Sequence, residues 1–222
     1  FIHMSTNKVY GDTPNYLDLT ETDTRYDFKD KKYLNGIDET MSIDSCMHSL
    51  FGASKVSADI YVQEYGKYFG MNTGVFRGGC LTGSRHAGVE LHGFLSYIVK
   101  CATSEIPYTI FGYKGKQVRD QIHSLDVISA FEAFIENPRK GEVYNIGGGK
   151  DNAASVLEII DILKTNHNLA LRFTLSDENR AGDHICYYTD MKKFKDHFPE
   201  WSLKWPIEKI VDDIVKTEKE NK

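Results

Sequence analysis

Hydrophobic residues recur at helical spacing in several stretches of the chain and form short apolar runs between them. The spacing predicts helices over residues 54–69, 91–103, 124–135 and 155–163, and a last helix that begins at Pro206. Apolar runs predict strands over residues 1–5, 72–79, 107–112, 142–149, 170–174 and 184–188. Two helix starts carry capping signals, Ser124 for the third helix and the pair Ser155 and Glu158 for the fourth.

Strands therefore alternate with helices, which indicates an α/β fold with a mainly parallel sheet. Residues 11–47 are polar, rich in turn residues and without a sustained period, so we expect a long surface excursion there. The first residues, FIHMS, are strand-like from the start. A chain that opens inside a strand is expected to be a fragment of a longer fold.

The composition of the chain argues against several classes of function. Hydrophobic residues make up 41% of the 222 residues, which is enough for a packed core. The net charge of −5 argues against a nucleic-acid partner. No apolar run approaches the roughly 20 residues that a membrane helix needs. The four cysteines form no CxxC pair, so we expect reduced thiols, a cytoplasmic protein and no metal site.

Two glycine-rich segments invite comparison with phosphate-binding loops. GGCLTG at 78–83 and IGGGK at 146–150 match neither the G-x-G-x-x-G nor the G-x-x-x-x-G-K-[ST] pattern. Tight turns at strand ends are the more frequent role of such glycines.

Two arginines and one lysine are candidates for binding chemistry. Arg119 lies in a strand-like piece, and Arg180 is followed closely by Asp183. Arginine suits bidentate recognition of phosphate, although the spacing alone favours two surface arginines in ordinary ion pairs. Lys55 follows Phe51 by four residues, the spacing of a Tyr-x-x-x-Lys pair without its tyrosine. The alternative is a helix start that carries a solvated lysine.

Read together, several segments resemble the extended short-chain dehydrogenase/reductase family, the NAD-dependent nucleotide-sugar epimerases and dehydratases. The segments are, in order, MSTNKVYGD (4–12), FGASK (51–55), FRGGCLTG (76–83), VRDQIHSLD (118–126) and NRAGD (179–183). They cover almost the whole chain. Within the family, STNKVYGD, HS-x-x-G-x-SK and GKQVRD narrow the resemblance to an epimerase that acts at C2 of the sugar.

The resemblance implies the C-terminal half of a Rossmann-type NAD(P)-binding fold with a smaller α+β substrate domain. The Rossmann part would comprise residues 1–84 and 123–147, and the nucleotide-sugar domain residues 85–122 and 148–222. A glycine-rich turn and about a hundred residues, one βαβαβ half, would lie upstream. The resemblance further implies a homodimer or homotetramer paired through the helix at 54–69.

The resemblance also implies roles for individual residues. Thr6 and Lys55 would be catalytic, and Lys55, Phe51, Gly79 and Cys80 would lie at the nicotinamide end of NAD. Arg119, Arg180 and Asp183 would bind the nucleotide sugar. Epimerisation would proceed through a transient keto sugar, after a base removes a hydroxyl proton and a hydride leaves the same carbon.

The sequence departs from the family pattern at two places. Asn7 and Lys8 stand where dehydratases carry an Asp-Glu pair, which argues against a 4,6-dehydratase. Phe51 stands where the family has its tyrosine base, and a phenyl ring cannot exchange a proton. His48, three residues upstream, is the candidate replacement, because imidazole is the side-chain type suited to proton exchange at physiological pH. A catalytically silent nucleotide-sugar-binding homologue and a nucleotide-sugar reductase are the alternative functions.

Overall fold

The computed structural model describes residues 1–90, 93–178 and 182–221. The strands are β1 (Ile2–Thr6), β2 (Leu19–Glu21), β3 (Tyr26–Phe28), β4 (Gly74–Gly78), β5 (Cys80–Thr82), β6 (Tyr108–Phe111), β7 (Val118–His123), β8 (Glu142–Ile146), β9 (Ala153–Ser155), β10 (Phe173–Ser176) and β11 (Cys186–Tyr187). The helices are α1 (Ser49–Phe69), α2 (Phe94–Ser104), α3 (Ser124–Glu136), α4 (Val156–His167), α5 (Lys192–His197) and α6 (Ile207–Glu220).

The strands pair mainly in parallel, which confirms the predicted α/β class. One sheet has the order β1-β4-β8, with Met4 opposite Phe76 and Phe76 opposite Tyr144. A second sheet has the order β11-β7-β5, and β9 joins β7 in the antiparallel sense. Strands β6 and β10 form a separate parallel pair. The carboxyl ends of β1, β4, β5 and β7 therefore lie close to one another, where open α/β sheets hold their ligands.

Two hydrophobic clusters hold the helices against these sheets. One joins α2, α4 and α6 through residues such as Ile98, Ile159 and Ile210, which are fully buried. The other is aromatic and centres on Phe76, whose ring meets Phe134 and Tyr144. Such rings bury large apolar areas and prefer tilted or edge-to-face contacts.

The predicted apolar stripe of α1 faces outward in the single chain. Tyr61, Tyr65 and Phe69 are exposed, whereas Gly52, Asp59 and Gly66 are the buried residues of this helix. Helix α1 also begins five residues before the predicted start at residue 54. Its inward face is made of small residues and a carboxylate, so it packs closely and by polar contacts rather than by a hydrophobic seam.

The surface excursion predicted over residues 11–47 is wrong in part. Strands β2 and β3 form an antiparallel hairpin there, and Phe28, Ile37 and Met41 are buried. The backbone N–H of Ile37 donates to the carbonyl of Tyr188 at 2.8 Å. The segment thus packs against the end of the chain, a long-range contact that no local period signals.

The capping predictions had different outcomes. The capping box of Ser155 and Glu158 at α4 is confirmed, with the Glu158 N–H donating to Ser155 Oγ at 3.0 Å. Helix α3, by contrast, is capped by His123 and not by Ser124, since the Leu125 N–H donates to His123 Nδ1 at 3.2 Å. The His123 ring also stacks on Trp205, with ring centroids 3.8 Å apart.

Two further features of the described residues concern membranes and metal ions. None of the helices within 1–90, 93–178 and 182–221 has the length and apolar character needed to cross a membrane. In the same residues, no three side chains of His, Cys, Asp or Glu come together as a metal site.

Candidate functional site

A cavity of about 700 Å³ opens at the carboxyl ends of the parallel strands. Its wall includes the turn after β1, the first turn of α1, the glycine-rich turn after β4, the start of α2 and the outward face of β7. Of the predicted site residues, those that line it are Thr6, Phe51, Gly79, Cys80, Arg119 and Asp183. The structure therefore brings together residues that are up to 177 positions apart in the chain, from Thr6 to Asp183.

Thr6 ends β1 and starts the turn that follows it. Its Oγ1 accepts the backbone N–H of Lys8 at 3.2 Å, which caps a short 3-10 helix over Asn7–Tyr10. Because the cap fixes this turn, Thr6 and Lys8 line the same cavity from positions two residues apart.

Phe51 and Lys55 occupy successive turns at the start of α1. The Phe51 side chain is 56% exposed and lines the cavity, and the Lys55 Nζ lies 6.0 Å from the centre of its ring. Lys55 Nζ donates to the Met4 carbonyl at 3.2 Å, which ties the lysine to β1. The spacing of a Tyr-x-x-x-Lys pair thus brings Lys55 beside the side chain at position 51, where a phenyl ring stands in place of a phenol.

His48 lies just before α1 but is not among the residues that line the cavity. Its Nε2 donates to the Val9 carbonyl at 2.8 Å and lies 3.5 Å from Cys46 Sγ. This nitrogen is thus engaged with the backbone carbonyl of a residue that does not line the cavity.

Gly79 and Cys80 form the wall between β4 and β7. A Cβ at Gly79 would lie 2.9 Å from Asp120 Oδ1, so glycine allows the turn to pack against the buried carboxylate of β7. Asp120 Oδ2 accepts the N–H groups of Gly149 and Thr189, each at 3.1 Å. Burial raises the pKa of the Cys80 thiol to about 11.

Arg119 and Asp183 form an ion pair on the wall of the cavity. The buried Arg119 guanidinium donates to Asp183 Oδ1 at 2.6 Å and to the backbone carbonyl of His184. Burial alone would raise the pKa of Asp183, but the charges of Arg119 and Lys8 outweigh it and lower the pKa to about 2. Asp183 is therefore an anion at physiological pH and holds Arg119 in place. The predicted partner Arg180 lies outside the described residues.

Lys8 and Gln121 line the cavity although the sequence did not single them out as site residues. Lys8 Nζ donates to the Gly182 carbonyl at 2.7 Å and lies 3.9 Å from Asp183 Oδ1. Gln121 follows Arg119 by two positions in β7, so the alternation of strand side chains puts both on one face. The alternation of side chains along β7 could have identified Gln121 from the sequence. The departure from the dehydratase pattern could have identified Lys8.

The chain matches one protein family and several characterised relatives. Residues 1–147 match the NAD dependent epimerase/dehydratase family. The chain is 38% identical to CDP-paratose 2-epimerase of Salmonella typhi over 95% of its own length and 63% of that protein. It is 32% identical to a putative UDP-glucose 4-epimerase of Methanocaldococcus jannaschii over 74% of its own length and 52% of that protein.

Solved structures show the same fold. UDP-glucuronic acid 4-epimerase from Bacillus cereus, in complex with UDP-glucuronic acid and NAD, matches all of this chain with a TM-score of 0.76 at 23% identity. The match covers 62% of that enzyme. The chain thus spans between about half and somewhat less than two thirds of the length of these relatives.

Proposed function

This chain belongs to the NAD dependent epimerase/dehydratase family, and on that premise we propose that the protein epimerises a nucleotide sugar as a CDP-paratose 2-epimerase does. The observation that carries the proposal is one cavity that Thr6, Phe51 and Arg119 line together. Thr6 and Phe51 offer groups for a nicotinamide and a sugar, and Arg119 offers a guanidinium for a diphosphate.

The residues around Phe51 fit the cofactor of this family. NAD, when bound, supplies the hydride acceptor for the sugar carbon. Thr6 offers a hydroxyl, Phe51 an exposed aromatic face and the Gly78–Gly79 turn a wall without side chains. Lys55 would bind the nicotinamide ribose from its place beside Phe51.

The proposed binding of the nucleotide sugar depends on Arg119. We assign residues 85–122 and 148–222 to the nucleotide-sugar domain, and residues 1–84 and 123–147 to the cofactor domain. In this assignment Arg119 and Asp183 act as one unit, because the carboxylate fixes the guanidinium for a bidentate contact to phosphate. Arg180 would be the second arginine of the diphosphate site.

The proposed function is tested by incubating the full-length protein with NAD and a series of CDP-, UDP- and dTDP-sugars. The expected results are a transient rise in reduced-cofactor absorbance and conversion of one sugar into its C2 epimer by NMR. Stoichiometric release of reduced cofactor would indicate a nucleotide-sugar dehydrogenase instead, and stoichiometric consumption of added reduced cofactor a nucleotide-sugar reductase. Binding of a nucleotide sugar without any hydride transfer would establish a silent homologue, the function that the missing hydroxyl of Phe51 favours.

We expect Arg119→Ala to weaken binding of the nucleotide sugar by about 1.5–3 kcal/mol, the range for a charge-assisted hydrogen bond. Calorimetry on the full-length protein measures the change. Arg139→Ala is the matched control, because Arg139 is exposed and lies outside the cavity. Equal affinities of the two variants would remove Arg119 from the substrate site.

We propose further that the protein is a homodimer or homotetramer in which α1 pairs with its copy. Tyr61, Tyr65, Tyr68 and Phe69 present exposed aromatic surface along one helix, and Tyr68 alone is 81% exposed. The double variant Tyr61→Asp/Tyr68→Asp should therefore be monomeric by sedimentation at micromolar concentration. The wild-type protein should sediment as an oligomer, and a monomeric wild-type protein would contradict the proposal.

A further inference from the structure

Phe51 offers no phenol at the position that the proposed reaction would use, so another group would have to take up and return the proton. Among the described residues, the titratable side chains that line the cavity are Lys8, Cys80, Arg85, His86, Tyr108, Arg119 and Asp183. Tyr108 and His86 belong to the α2–β6 wall, where Tyr108 packs on Tyr97 and His86 on Gly93. Lys8 instead shares a capped turn with Thr6.

The groups near Lys8 are unsuited to exchange a proton near neutral pH. Arg119 keeps its charge, and the low pKa of Asp183, about 2, makes it a very weak base. The Cys80 thiol, with its pKa raised to about 11, stays protonated. Among the groups at the Thr6 turn and its neighbours, Lys8 is therefore the candidate.

A hydrogen bond holds the Lys8 side chain in place, but the side chain remains partly accessible. One N–H donates to the Gly182 carbonyl at 2.7 Å, and the side chain remains 30% exposed. A neutral amine in this position keeps its lone pair and a second N–H for a ligand, whereas arginine has no lone pair to offer.

We propose that Lys8 Nζ is the proton acceptor and donor of this site, in the role for which Phe51 has no hydroxyl. The inference rests on the proposed function. The neutral amine takes the proton from the sugar hydroxyl as that O–H bond breaks, and the hydride leaves the same carbon for the nicotinamide cofactor. The carbonyl group that forms then accepts the hydride on its other face, and the Lys8 ammonium returns the proton to its oxygen.

The charges around Lys8 agree with this role. Burial and the nearby Arg119 lower the pKa of Lys8 to about 8, while Asp183 and Cys80 offset part of that shift. His184, whose own pKa is lowered by burial, lies close to the same group and adds no positive charge when neutral. A base acts in its deprotonated form, so the rate of sugar oxidation should rise with pH and level off above about 8.

The test uses three variants of the full-length protein. Lys8→Met should lower turnover by about 10²–10⁴-fold, the usual contribution of a positioned base. Lys8→Arg keeps the charge but cannot deprotonate, so it should be equally slow, whereas a lysine that only positions the substrate would be rescued by arginine. Lys193→Met is the control, because Lys193 also binds a backbone carbonyl and a carboxylate but lies outside the cavity.

A second measurement needs no turnover. The pH dependence of amine labelling, followed by mass spectrometry, should show Lys8 becoming reactive near pH 8, below the pH at which an ordinary lysine side chain does. A Lys8 that labels like an ordinary surface lysine overturns the inference. Full activity of the Lys8→Met or the Lys8→Arg variant also overturns it and leaves the proposed function intact. A wild-type protein that epimerises no nucleotide sugar overturns both.

Discussion

Replacing Arg77 with methionine should lower the free energy of unfolding by about 3–5 kcal/mol, the cost of leaving one buried charge without its partner. Arg77 is 5% and Asp59 1% exposed. The guanidinium donates to Asp59 Oδ2 at 2.8 Å through Nε and to Oδ1 at 3.0 Å through NH2. Urea denaturation of the full-length protein measures the change.

The pair is part of a network that joins α1 to the sheet below it. Ser5 donates to Asp59 at 2.9 Å, and Arg77 donates to the Tyr10 hydroxyl at 3.1 Å. Tyr10 in turn donates to Asn145 Oδ1 at 2.6 Å. Breaking one member therefore leaves several buried polar groups with fewer partners, which adds to the loss.

An exposed ion pair provides the control. Lys192 lies 2.5 Å from Asp196, but both side chains are exposed, so Lys192→Ala should change stability by less than about 1 kcal/mol. The double variant Arg77→Met/Asp59→Leu should recover much of the loss, because it removes both charges. Equal effects of Arg77→Met and Lys192→Ala would show that the buried pair is not an essential contact of the fold.

Local signals were sufficient for part of this fold. Helix α6 follows its predicted apolar face, with Ile207, Ile210, Val211 and Ile214 buried, and α4 follows its capping box. Helix α1 shows what such signals miss. Its contacts depend on Asp59 meeting Arg77 across 18 positions, and hydrophobic periodicity does not describe a polar interface.

The sequence likewise predicted only part of the candidate site. Motif resemblance singled out Thr6, Phe51 and Arg119, and the structure places all three on one cavity. Lys8 appeared in the sequence only as a departure from a dehydratase pattern. Its relation to Asp183 depends on the packing of the chain's last third against the turn after β1, which only the folded chain reveals.

The second large effect is expected when a hydroxyl is added at position 51. Phe51→Tyr, made in the Lys8→Met background, should raise turnover by about 10²–10⁴-fold over the Lys8→Met variant alone. The exposed ring accepts an oxygen without repacking the core, so stability should change by less than about 0.5 kcal/mol. The nearby Lys55 ammonium favours the phenolate and lowers the pKa of the new phenol.

Two control variants accompany this experiment. Epimerisation is measured by NMR in each variant. Phe69→Tyr adds the same hydroxyl to an exposed ring at the far end of α1 and should recover nothing. His48→Ala in the wild-type background should leave turnover nearly unchanged, because its Nε2 is bound to the Val9 carbonyl outside the cavity. If His48→Ala abolished turnover and Phe51→Tyr recovered none, the base would be His48 and Lys8 would act on the substrate only through its charge.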